Sequence, residues 1–410
     1  MNFFYRNDES KLKKFGEFHF SEKAVYYFTT FFLITMLAHI LLLILGKGNQ
    51  LDLYFLNMND FFADFLNSVR YSSGRDPWFD ETIHPMHHTQ NGLWYMFCWI
   101  AKRIAGIKQG ESLNDLWNNH TIILISFYYL TVQFLLIGHS MICLCKKFKS
   151  SRLLLLPLMM SYPMLYSIER ANHVMFTAAC IAYFISFYDS ENKKFRYFAC
   201  FCFALAASQK IYPVVFGFLY FEKKQWKEIL ISGIMSFLLF FVPFFFFKHG
   251  IQNLPRLLYN AKEFSKNENR NTLISVVRIL CVISLFFSVF QKRLFDRLVL
   301  IVFPLLLLST RAGFYTTLYF YPLVILLFNQ NEDSYYSITL FNRYFFFVYF
   351  SCLLMPLQIM QFFFPHFRNE NLIVYHWSLK FIFIVLFLFE TISALKESFF
   401  SKMKVESPKE

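Results

Sequence analysis

Long apolar stretches separated by short polar ones run along almost the whole chain. They fall at 24–46, 91–106, 121–144, 152–168, 173–188, 197–222, 227–247, 272–290, 296–310, 314–328, 344–363 and 373–395. Most approach the roughly 20 residues that a helix needs to cross a hydrocarbon core. The pattern predicts an all-α polytopic membrane protein. The first run starts near Ala24, too far from residue 1 for a secretory signal, and it is long enough to span.

The polar connections carry the orientation. Basic clusters precede the first run (Arg6, Lys11, Lys13, Lys14, Lys23) and recur at 146–152, 193–196, 223–227, 292–297 and the C-terminus. Placing all of them on the cytoplasmic side requires that 91–106 lie along the interface and that 197–222 go out and return, with a break near Lys210-Ile211-Tyr212-Pro213. About twelve transmembrane helices result. The expected organisation is a cytoplasmic segment 1–23, a transmembrane domain 24–395 and a cytoplasmic tail 396–410. The largest non-cytoplasmic loop, 47–120, would hold juxtamembrane helices, and shorter loops fall at 168–172, 248–271, 310–313 and 364–372.

Composition narrows the class. Of 410 residues, 56% are hydrophobic and 21% aromatic, and the mean hydropathy is +0.39, which leaves too little polar surface for a soluble globule. The eight cysteines lie mostly inside apolar runs without C-x-x-C pairs, so they read as small packing residues rather than zinc ligands or disulfides. No Gly-rich phosphate loop follows a strand, no cytoplasmic segment could fold a nucleotide-sugar domain, and no basic-aromatic module suggests nucleic acid. The net charge of +13 suits cytoplasmic anchoring and a lipid phosphate.

Against that basic balance, residues 58–85, MNDFFADFLNSVRYSSGRDPWFDETIHP, gather Asp60, Asp64, Asp76, Asp80 and Glu81. A helix from about Asn59 to Tyr71 would set Asp60, Asp64, Asn67 and Tyr71 on one face and Phe61, Phe62, Phe65, Leu66 and Val69 on the other. Its apolar face suits a membrane surface. Two carboxylates at i and i+4 repel each other, and one use for such a pair is as a general base; the alternative is the wet side of an interfacial helix.

Cations on the non-cytoplasmic side are candidates for phosphate binding: Arg170, Lys210, Arg270, Arg278 and Arg311, with Lys262 and Lys266 nearby. Lys210 is the most informative, because an ammonium at a helix break in an apolar stretch needs a cavity or a partner such as Glu169. Asp76, His84, Asn172 and Tyr212 are candidates for binding sugar or acceptor hydroxyls. The His84, His87 and His88 spacing lacks a fixed carboxylate, so no metal site is assigned to it.

The words NDFFADF, SSGRDPW, an HP opening an apolar segment, IERANH and ALAASQKIYPVVFGFLYFEKKQW, in that order and spacing from about residue 50 to 230, resemble the polyprenyl-phosphate-mannose-dependent glycosyltransferases of family 87, in the GT-C superfamily. That resemblance implies a GT-C bundle, and the expected location is a bacterial inner membrane, with both termini cytoplasmic by the placement of the basic clusters. It implies inverting transfer of a hexose, in the first instance mannose, from a polyprenyl-phosphate donor to a glycan or glycolipid acceptor on the non-cytoplasmic face, with no other cofactor. Asp60 takes the place of the family's catalytic base ahead of Gly74-Arg75-Asp76-Pro77-Trp78, with Asp64 its assistant or alternate, and His84-Pro85 stands where relatives often carry Pro-Pro. The rival readings are an O-antigen-type polymerase, whose main loops would be late and basic, and a lipid-linked saccharide transporter or flippase, which would want matched helix breaks in both halves. The sequence shows one such break, at Lys210.

Overall fold

The computed structural model describes residues 61–72, 76–79, 89–266, 272–308 apart from 292, and 314–329, together with scattered helical positions between 25 and 45. Among these residues there are helices, turns and no strand.

The first polar loop holds three helices, α1 (Ala63–Tyr71), α2 (Gly92–Ile104) and α3 (Leu113–Trp117). The bundle follows as α4 (His120–Lys147), α5 (Leu155–Met159), α6 (Tyr162–Arg170), α7 (Val174–Phe187) and α8 (Lys193–Gln209). Beyond it come α9 (Phe218–Glu222), α10 (Trp226–Phe241), α11 (Asn253–Lys266), α12 (Thr272–Ser288), α13 (Leu294–Leu308) and α14 (Tyr321–Leu327). Side chains start these helices where the chain leaves polar turns. Asn91 accepts from the Trp94 amide, Asn119 from Ile122 and Asn192 from Lys194, while Ser112 and Asp115 close a reciprocal capping box.

Two described helices are long and apolar enough to cross a membrane: α4, and α10 with its 3-10 extension to Phe246. At 1.5 Å per residue the 28 residues of α4 measure about 42 Å. Several of the other apolar runs are interrupted by proline. Pro163, Pro213, Pro243 and Pro322 each stand in the first turn of a new helical segment, where the ring is tolerated, whereas it could not continue the preceding helix. The run 152–168 is therefore split at Met160–Ser161, and 314–328 passes from a 3-10 segment, Phe314–Phe320, into α14. This corrects the expectation of a lone break at Lys210. A hydroxyl pair, Ser161 and Tyr321 at 2.5 Å, joins two of the interrupted segments.

Helix α7 is the axis. All its residues except Phe176 and Phe187 are buried, because α4 and α8 pack along its two sides. Buried Gln133 of α4 satisfies an otherwise unpaired amide near the start of α7, accepting from Phe176 at 2.9 Å. These helices bring three of the basic clusters to one end of the bundle. There Lys147 binds Asp189 at 2.5 Å and lies 4.6 Å over the Tyr188 ring, and Arg196 meets Glu228 at 3.2 Å.

Two expectations for the first loop change. The helix expected from Asn59 begins only at Ala63, because Phe62 takes a left-handed conformation (φ 59°) and donates its amide to the Glu169 carbonyl at 2.6 Å. Its apolar face does not lie on a membrane surface: Phe62, Phe65, Leu66 and Val69 are buried, with Phe65 packed on Trp94 and Tyr129. In the stretch 91–106, α2 has 13 residues, about 20 Å of helix, short of a span.

Candidate active site

The opposite end of the bundle collects acids, amides and cations. Asp64 stands in the first turn of α1, and its carboxylate faces the turn that joins α6 to α7. Arg170 donates to Asp64 Oδ1 from Nε at 3.1 Å and from Nη2 at 2.6 Å. Asn172 donates to Oδ2 at 2.6 Å while its own Oδ1 accepts from the Val174 amide. Both members of the ion pair are about one-fifth exposed, a setting in which charge-assisted bonds are shorter and stronger than neutral ones.

Backbone strain sets this geometry. Between the two donors, Ala171 is left-handed (φ 47°, ψ 42°) and fully buried, so the chain reverses within one residue and both flanking side chains reach one carboxylate. Across the contact Phe62 is left-handed too. A non-glycine residue there costs about 1–2 kcal/mol, and two such residues bracket a single ion pair.

Lys210 completes the cluster. Helix α8 stops at Gln209, and Lys210 is extended (φ −138°, ψ 132°) in the turn before the 3-10 segment Tyr212–Gly217. Burial draws its pKa down to about 8, and Asp64 is the carboxylate that opposes the shift. The turn is held by Asn91, whose amide donates to the Gln209 carbonyl. His173, also hydrogen-bonded to the Gln209 backbone, is buried and stacks on Trp94 with centroids 4.4 Å apart; burial and then Lys210 keep its imidazole neutral. The sequence analysis missed His173, Asn91 and Trp94. His173 stood within IERANH, but the signal for the other two is only their fold partners.

A second group adjoins the first. Asp76 pairs with His249 at 2.6 Å, and Trp78 is buried among Tyr95, Phe244 and Phe247. The Trp78 carbonyl accepts from Arg256 and Asn260 of α11, and its indole donates to the Gln90 carbonyl. Tyr71 links the groups, packing on the Trp78 cluster while its hydroxyl lies within the field of Asp64.

Of the residues expected from sequence, the structure therefore brings Asp64, Arg170, Asn172 and Lys210 together and sets Asp76 in the neighbouring group. Tyr212 points its ring at Tyr319, edge-on at 5.7 Å, in a buried aromatic contact. Asp60, His84, Arg270 and Arg311 lie outside the described residues, as do Asp80, Glu81, His87 and His88. Arg278 falls on α12.

Residues 120–318 match the model of glycosyltransferase family 87. No curated protein and no solved structure matches the chain.

Proposed function

We propose that this chain, a glycosyltransferase by its match to family 87, is a multi-pass membrane enzyme that transfers a hexose, mannose in the first instance, from a polyprenyl-phosphate carrier to a glycan or glycolipid acceptor. The reaction faces the non-cytoplasmic side of a bacterial inner membrane, with the basic end of the bundle in the cytoplasm. That orientation is favoured by Lys147 and Arg196 standing at the end away from Asp64.

One observation carries the reading: a carboxylate on the first loop, Asp64, is gripped by Arg170 and Asn172 from the next luminal-type turn and felt by Lys210 at a helix break. Inverting transfer needs a base beside the acceptor hydroxyl and cations beside the leaving phosphate. Both oxygens of Asp64 already accept hydrogen bonds, so its part is to position Arg170 and Lys210. The proton then falls to Asp60, four residues earlier. Asp60 takes the acceptor hydroxyl proton, the acceptor oxygen bonds to the anomeric carbon from the face opposite the phosphate, and the anomeric carbon–oxygen bond breaks. Polyprenyl phosphate leaves with the bonding electrons, its charge met by Lys210 and by the Arg170 guanidinium.

Mass spectrometric detection of polyprenyl phosphate released from a panel of polyprenyl-phosphate sugars, with a glycolipid extract as acceptor, tests this directly. Release by wild type and not by Asp60→Asn supports the donor class and the base together. Release by both variants places the base elsewhere, and release by neither, with folded protein, refutes the donor.

A further inference from the structure

Far from the Asp64 cluster, the basic half of the bundle contains an open groove of about 420 Å³ between α4, α7 and α8. Leu136 and His139 of α4, Tyr183 and Phe187 of α7, and Phe195 and Phe198 of α8 form its walls, and Lys194 stands at its mouth. The groove is built rather than incidental. Phe187 stacks on Phe195 at 5.1 Å, Tyr183 meets Phe198 edge-on at 5.5 Å, and the one polar pair in the wall, His139 Nδ1 and the Tyr183 hydroxyl at 2.7 Å, satisfies itself. Its lining is therefore almost wholly hydrocarbon and ring. Along α8, Lys194 and Gln209 are 15 residues apart, about 22 Å of helix, so the groove is separate from the candidate active site.

We infer that this groove is a binding site for an anionic glycerophospholipid of the bilayer, with one acyl chain in the aromatic channel and the headgroup phosphate at Lys194. Three observations select that occupant. The volume lies at the low end of the roughly 300–1,000 Å³ of small-ligand sites, suited to one chain rather than a long isoprenoid. The channel opens beside α4, the longest membrane-span helix described. At its mouth the first turn of α8 carries both Lys193 and Lys194, two cations where the helix dipole is already positive. Glu191 precedes them, and the two ammonium groups still leave this turn with net positive charge, which suits an anionic headgroup.

The inference rests on the reading of α4 as a membrane span, and its test separates the two. Full-length protein, extracted in non-ionic detergent and stripped of lipid, is mixed with phosphatidylglycerol, phosphatidylcholine or undecaprenyl phosphate, and native mass spectrometry counts the lipids retained. One phosphatidylglycerol per wild-type chain is expected, with phosphatidylcholine at least fivefold weaker. Lys194→Glu, at an exposed position, and Leu136→Trp, which fills the channel, should each weaken phosphatidylglycerol retention at least fivefold. Equal retention by wild type and both variants, or of both phospholipids, overturns the site. Displacement of phosphatidylglycerol by undecaprenyl phosphate through the same residues overturns the occupant. A protein recovered from the soluble fraction without detergent would instead overturn the membrane reading.

Discussion

Arg170 places two nitrogens on one oxygen of Asp64, across 106 residues of sequence. The contact ties the first polar loop to the turn before α7, and it leaves the other oxygen to Asn172. A double-mutant cycle of Asp64→Ala and Arg170→Ala should show coupling of about 0.5–3 kcal/mol in unfolding free energy, as contacting charged partners do. Arg170→Lys should restore little of it, because a point charge cannot supply two donors from a planar fork. Additive single-mutant effects would mean that the pair holds nothing together.

Asp60→Asn and Asp64→Asn should separate chemistry from positioning. The first is expected to lower kcat by about 10²–10⁴-fold with the melting temperature unchanged, the loss typical of a missing general base. The second, which removes the carboxylate charge that Arg170 meets, should lower thermal stability and raise KM for the donor as well. Activity in Asp60→Asn together with a dead but stable Asp64→Asn would exchange the two roles.

Ala171 makes the geometry of that turn testable. A β-branched residue is poorly accommodated at φ 47°, so Ala171→Val should lower both the melting temperature and transfer. Ala171→Gly gives up a buried methyl and relieves about 1–2 kcal/mol of left-handed strain, so its stability should stay near wild type. Circular dichroism melts of the two variants check the order, and an undisturbed Ala171→Val would show that the turn is not constrained.

The helical class and the apolar runs were legible because hydropathy alone writes them, and Asp64, Arg170, Asn172 and Lys210 were legible because polar residues at the edges of apolar runs stand out. Helix continuity was not. Pro163, Pro243 and Pro322 sit in runs that read as unbroken, and a hydropathy window does not register a ring that ends one helix and begins the next. The burial of the α1 apolar face was hidden for a different reason: Phe65 looks the same against lipid as against Trp94 and Tyr129. The pairing of Asp76 with His249 joins loops 173 residues apart and had no local signature. Interrupted segments occur in both halves of the described chain, so a single helix break does not distinguish this protein from a transporter. The weight moves to the family 87 match.

Trp78 is the keystone of the second loop group, 1% exposed and packed on three aromatic rings. Trp78→Ala should cost about 3–5 kcal/mol, the range for a buried aromatic truncated to alanine, and Trp78→Phe much less. The loss should loosen α11 from the first loop, since the indole shares its cluster with Leu257 and Leu254 of α11 and that packing holds in place the main-chain carbonyl to which Arg256 and Asn260 donate. Limited proteolysis near α11 in Trp78→Ala, set beside Asp76→Asn, checks this. Equal protection in wild type and Trp78→Ala would contradict it.

Lys210 gives the pH dependence, with opposite signs for stability and for activity. Burial lowers its pKa from 10.5 to about 8, with Asp64 resisting. Between those values the unfolded chain binds more protons than the folded one, so this group makes stability rise with pH. If the ammonium holds the donor phosphate, it is lost over the same rise: transfer at low donor concentration should fall as pH passes about 8 while the fold becomes firmer. Lys210→Arg stays charged and should carry the alkaline limb well above that value, whereas Lys210→Met should remove the limb and raise KM for the donor at every pH. Rate profiles of kcat/KM for the three proteins, measured beside their melting temperatures, decide it. A limb near pH 8 that persists in Lys210→Arg would assign the titration to another group and take Lys210 out of the phosphate site.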